Sequence, residues 1–271
     1  MPAVSIARLR AEVAGLSDLF ARPAEFLTGL HQLLDFYADR VYRAGQAIPP
    51  APLIPTYHTP PLVIQQLQRE LRARCVQDPA AGLALADFLW TDPYIEVRKL
   101  AVFLLGQAPP KPVQPVLERI QAWARPQEPA DILKLLLAEG TVRLRRELPE
   151  TWLETIQTWV NDPSPGTQFL GIQALVPLVE DRQFANFPPV FRMISPFLFS
   201  PQAFLLPGLQ DILEALARRS PIETAFYLRQ ILGSPTPPAT IRIVRRLMPI
   251  FDAGTQDNLR KMLLARPKAG K

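Results

Sequence analysis

Cysteine is nearly missing from this chain: Cys75 stands alone among 271 residues, so neither an internal disulfide nor a cysteine-rich metal centre can form. Histidine is almost as scarce. His31 and His58 are the whole supply, neither stands near a second ligand type at metal-site spacing, and a zinc site or a Ser-His or Cys-His nucleophile has little to build on. The 12 glycines never gather into GxGxxG or a phosphate-loop run, and GxSxG and HExxH are absent. No metal and no cofactor is therefore expected. Asn-Gly and Asp-Gly pairs are lacking and alternation of apolar with polar residues never persists, which leaves strands and hairpins without a signal. A bilayer span needs ~20 uninterrupted apolar residues. The most apolar region, 184–208, is broken by Pro188, Pro189, Pro196, Pro201, Pro207 and Arg192, so no membrane partner is expected. Met1 to Leu16 carries Arg8, Arg10 and Glu12 and no signal-peptide core, and the chain reads as cytoplasmic.

What is abundant is apolar mass, arginine and proline. Apolar residues make up 48% of the chain, enough for a large core and too much for a disordered chain. The net charge is +5, with 24 arginines among the 30 basic residues, which permits a polyanionic partner without requiring one. The stretch Leu89 to Gly106 reads as a complete helix. Asp92 suits the cap, Pro93 the first helical position and Gly106 a left-handed stop. Val97, Leu100, Ala101, Leu104 and Leu105 fall on one buried face, while Glu96, Arg98, Lys99 and Gln107 fall outside it.

The same punctuation recurs at Asp78-Pro79, Asp162-Pro163, Ser200-Pro201, Ser220-Pro221 and Ser234-Pro235, each a helix start. Helices pair as 62–76 with 79–89, 93–106 with 112–124, 130–140 with 150–160, 165–180 with 187–199, 202–218 with 221–232 and 238–251 with 255–265. Pair spacing varies around the ~40 residues of HEAT-type repeats. The expected fold is all-α, a HEAT-like helical-repeat solenoid (an α-α superhelix) over 62–265. A helical segment at 1–45 and a proline-rich strap or linker at 46–61 precede it, and a basic tail at 266–271 follows. Six prolines in the sixteen residues of 46–61 forbid a helix there, and Leu53, Ile54 and Tyr57 favour a packed strap over a flexible linker. Internal prolines such as Pro177 and Pro196 should kink helices or move their starts.

Chemistry is confined to arginine and tryptophan placement. Arg242, Arg245 and Arg246 share one helix face, Arg143, Arg145 and Arg146 cluster at a helix end, and Arg98 and Lys99 flank the central stripe. Such cations suit solvent faces and helix carboxyl ends. On one shared surface they would neutralise successive phosphates. Trp90, Trp123, Trp152 and Trp159 sit near helix ends, as core anchors or as platforms for bases.

Leu89-Trp90, Glu96-Val97-Arg98, Ala101 and Leu104-Leu105 together resemble a recurring helix pair of the DNA alkylation repair family, the HEAT-like-repeat alkylpurine DNA glycosylases. Trp159 with Ala174-Leu175-Val176-Pro177-Leu178 is similar to that family's later Trp-led helix. The resemblance covers about 61–232. It implies a basic concave face that holds damaged duplex DNA and a metal-independent cut between an alkylated purine and its sugar. In it an acidic residue stabilises the positive charge developing on the sugar. By this likeness Asp131 is the candidate carboxylate and Trp90, Trp123 and Trp159 are the aromatic candidates. Arg98, Lys99, Arg143, Arg145, Arg146, Arg242, Arg245 and Arg246 are the candidate DNA contacts. Gln168-Phe169-Leu170-Gly171 stands where the family carries a tryptophan and arginines. The alternative function is a scaffold of the same architecture that binds a protein partner and performs no chemistry.

Overall fold

The structure, a computed structural model, describes residues 5–39, 54–125 and 128–264. Among these residues it holds fifteen α-helices and no strand, an all-α helical-repeat fold. The basic tail expected at 266–271 and most of the proline-rich segment lie outside the described residues. The chain divides into two compact units, residues 1–147 and 148–271.

The first unit contains α1 (Ile6–Ser17), α2 (Pro23–Phe36), α3 (Pro61–Gln77), α4 (Pro79–Trp90), α5 (Ile95–Gln107), α6 (Gln114–Trp123), α7 (Ala130–Leu135), a π-helical turn (Leu136–Gly140) and α8 (Val142–Glu147). The second contains α9 (Pro149–Val160), α10 (Pro165–Glu180), α11 (Phe187–Phe199), α12 (Leu206–Arg219), α13 (Pro221–Leu232), α14 (Pro238–Leu247) and α15 (Ala253–Leu264). Proline occupies the first position of α2, α3, α4, α9, α10, α13 and α14, where its missing N–H costs nothing.

Asp78 caps α4 as the spacing predicts, its Oδ1 accepting from Ala81 N at 2.9 Å. Asp92 and Asp162 do something different. Each carboxylate accepts from the backbone N–H two residues on, Tyr94 at 2.8 Å and Ser164 at 2.7 Å. The helices begin one residue later still, at Ile95 and Pro165. Side-chain oxygens of aspartate readily close such turns. The same turn therefore joins α4 to α5 and α9 to α10.

Helix α5 is the centre of the first unit and packs on α3, α4, α7 and the π-helical turn. Its single-stripe reading is too narrow, because Val102 and Phe103 are buried together with Leu100, Ala101, Leu104 and Leu105. From Leu100 to Gly106 the helix is buried on every side and shows no solvent face there. Gly106 is not a left-handed stop. It lies inside α5, and a Cβ there would stand 2.1 Å from the Glu139 carbonyl oxygen of the π-helical turn. The residue is small because two backbones meet. Gly171 serves the same purpose in the second unit, where a Cβ would lie 2.8 Å from Val160 N. Pro177 and Pro196 stay within α10 and α11 and do not divide them.

Candidate functional site

The first unit brings three of the candidate residues together. Trp90 ends α4 and Trp123 ends α6, and their rings stack with centroids 4.5 Å apart and planes within 3°. Arg98, on the first turn of α5, lays its guanidinium over the Trp90 ring at 4.3 Å from the centroid, a cation–π contact. Nη2 of Arg98 donates to Oε2 of Glu128, a residue that the spacing did not single out. The pair is mostly covered, with 12% of the Arg98 side chain and 18% of the Glu128 side chain exposed. Nε of Arg98 is buried and has no hydrogen-bond partner among the described residues.

Asp131 lies three residues beyond Glu128 in the first turn of α7, and is exposed. A carboxylate there faces the positive end of the helix while remaining open to solvent. Lys99 is exposed beside Arg98. Arg143 is half-buried. It donates to Glu147 Oε1 at 2.6 Å and to the Gln107 carbonyl at 3.0 Å, closing the carboxyl end of α5. Arg145 turns inward: its Nη1 donates to the carbonyls of Leu137 and Ala138 at 3.1 and 2.6 Å and to Thr141 Oγ1 at 2.5 Å. These carbonyls are left over where the π-helical turn breaks the regular ladder. Arg145 is thereby committed to backbone. Arg146 next to it is exposed.

In the second unit Arg242, Arg245 and Arg246 project from the exposed face of α14, opposite buried Ile243, Val244 and Leu247. Arg246 Nη1 donates to Gln210 Oε1 at 2.7 Å. Arg242 and Arg246 border a cleft of about 260 Å3 floored by Leu206, Pro207 and Ile243. Trp159 is buried, edge-on to Trp152 at 5.5 Å and 85°, and it backs Gly171. In this unit it is a core anchor.

A second polar cluster in the first unit was not legible as a site. His31 on α2 bridges Tyr57 and Asp92, with Nδ1 2.8 Å from the Tyr57 hydroxyl and Nε2 3.0 Å from Asp92 Oδ2. The carboxylate can only accept, so a neutral ring carries its proton on Nε2 and accepts from Tyr57 on Nδ1. Burial, then the nearby Tyr94, push the Tyr57 hydroxyl up to about 12, which keeps it a donor. Tyr57 also stacks on Tyr94 at 4.3 Å. Glu96 Oε1 accepts from the Thr56 hydroxyl at 2.6 Å and Tyr57 N at 3.0 Å, and the Pro55 carbonyl accepts from Ile95 N at 3.0 Å. Residues 55–57 are thus fastened to α2 and to the amino end of α5.

Tryptophans and cations near helix ends, mounted on helix pairs joined by repeated aspartate turns, define an all-helical repeat protein. Its particular family follows from sequence. The chain belongs to the DNA alkylation repair enzyme family, whose model matches residues 60–242, from α3 into α14. Comparison with curated proteins and with solved structures returns no match. Among the described residues no helix is long and apolar enough to cross a membrane, and no group of three or more His, Cys, Asp or Glu is placed to hold a metal ion.

Proposed function

We propose that this chain binds duplex DNA, with phosphates met by exposed Lys99, Arg146, Arg242, Arg245 and Arg246, and with alkylated purines as the lesions it serves. The match to the DNA alkylation repair enzyme family over residues 60–242 carries this reading. The exposure of these five cations supports it, because a cation already in contact with solvent exchanges counterions for phosphate without first being uncovered. Asp131 is open to solvent, while Glu128, three residues before it, is held by Arg98. Asp131 is therefore assigned the electrostatic role: as the bond from an alkylated base to its sugar breaks, the sugar turns cationic, and a fixed carboxylate lowers that barrier. Reversing charge at Arg242, Arg245 and Arg246 to glutamate should weaken duplex binding and flatten its salt dependence. Unchanged binding would remove α14 from the interface. Release of an alkylated purine by the native chain and its loss in Asp131→Asn would establish the catalytic part.

A second reading, a scaffold for a protein partner, draws on α13, where Ile222 and Phe226 are exposed one turn apart at 82% and 56%. Failure to bind duplex at low salt would favour it.

A further inference from the structure

Arginine 98 uses half of its fork. The edge formed by Nε and Nη2 suits two oxygens of one oxyanion, and Arg119 in the same unit shows it filled: Nε donates to Asp87 Oδ1 at 2.9 Å and Nη2 to Asp87 Oδ2 at 2.6 Å. On Arg98, among the described residues, Nη2 is engaged by Glu128 while Nε is buried with no partner. A buried N–H of a charged group left without an acceptor is costly. The guanidinium is meanwhile held flat on Trp90 at 4.3 Å, so it is pre-aimed, and the group occupying it satisfies it poorly.

We propose that Glu128 is an internal stand-in for a phosphate, an autoinhibitory contact that a DNA backbone phosphate displaces from Arg98. The phosphate places two oxygens on Nε and Nη2, the Glu128 carboxylate returns to water, and Arg98 keeps its place over Trp90. Duplex binding at this point is an exchange of partners, and its net gain is reduced by the pair that must break. The inference rests on the DNA-binding reading above and adds the regulation of its tryptophan-lined part.

The test is duplex binding, by fluorescence anisotropy at fixed salt, of the native chain, Glu128→Gln, Arg98→Gln, the double variant, and Glu118→Gln as a control that removes one exposed carboxylate from α6. Glu128→Gln should bind about five-fold tighter, the upper end for an ion pair near the surface. Glu118→Gln should change binding by less than about two-fold, since an exposed carboxylate that no arginine of the described residues holds is screened by salt. The gain from Glu128→Gln should vanish when Arg98 is also glutamine. Equal effects of Glu128→Gln and Glu118→Gln, or a gain that survives in the double variant, would overturn the exchange while leaving DNA binding in place. Absence of binding by every variant at low salt would overturn the DNA reading and the exchange together. Should Glu128→Gln melt early, Glu128→Asp keeps the charge on a shorter arm, and tighter binding by that variant, again dependent on Arg98, is the result expected. Binding equal to native would overturn the exchange.

Discussion

Replacing Gly106 by alanine tests the packing on which the first unit depends. An alanine at a helix interior normally gains about 1 kcal/mol over glycine. At Gly106 the new Cβ would stand 2.1 Å from the Glu139 carbonyl oxygen, 0.9 Å inside the 3.0 Å that real Cβ contacts respect, with Val142 Cγ1 at 3.4 Å on another side. The obstructing atom is backbone, so no rotamer change relieves it. Either α5 or the π-helical turn must shift, and overpacking of this kind costs about 3 kcal/mol at the upper end of its range. Net of the helix gain, the variant should lose about 2 kcal/mol. In urea, where a domain loses roughly 2 kcal/mol per molar, the midpoint should fall by about 1 M. Stacked Trp90 and Trp123 give an emission signal from this unit. Gly15→Ala is the matched control. No atom of the described residues lies within 4 Å of its Cβ position in α1, so the same substitution should raise stability by up to about 1 kcal/mol. A neutral or stabilising Gly106→Ala would refute the close approach of α5 and the π-helical turn.

In the second unit, Arg219 ties down the segment after α10, donating to the carbonyls of Val179 at 3.0 Å and Phe184 at 2.9 Å. Arg219→Met should cost about 1 kcal/mol, since part-buried carbonyls lose a charged donor, and faster hydrogen exchange around residues 179–184 would locate the loss. Burial pushes the Tyr227 hydroxyl from 10.0 up to about 12. Its contribution to stability is complete below pH 10 and disappears as pH rises towards 12, so Tyr227→Phe should flatten the alkaline limb of a stability–pH curve for the second unit. Burial raises Cys75 in the same direction, from 9.0 to about 12, and Cys75→Ala should flatten the corresponding limb of the first unit between pH 9 and 12. His31→Ala removes the bridge between Tyr57 and Asp92. Limited proteolysis within 54–60 should then proceed faster than in the native chain, and an unchanged rate would show that the Glu96 contacts alone hold the segment.

Helix positions were largely legible because their signals are local. Proline at a first turn and apolar spacing placed α3, α4, α9, α10, α11 and α13 within a few residues of their observed ends. Errors arose where tertiary contact sets the outcome. Gly106 looks like a terminator in sequence and is a contact point between backbones. The stretch 130–140 reads as one regular helix, yet it widens into a π-helical turn at Leu136–Gly140, and the carbonyls so released draw Arg145 inward and away from any ligand. The site was legible in its aromatic half only. Trp90, Trp123 and Arg98 belong to the singled-out residues, and the structure stacks them. Glu128 sits 30 residues from Arg98, and His31 sits 61 residues from Asp92. No periodicity encodes such separations.

The central claim is that the exposed cations meet a phosphate backbone. Binding of a fluorescent duplex by the native chain, with and without an alkylated purine, across a salt series up to physiological strength tests it most directly. Tight binding at low salt is expected, with a log–log slope of about −4 to −5 if the five assigned cations each displace a counterion. No binding at low salt, or binding that ignores salt, would contradict it.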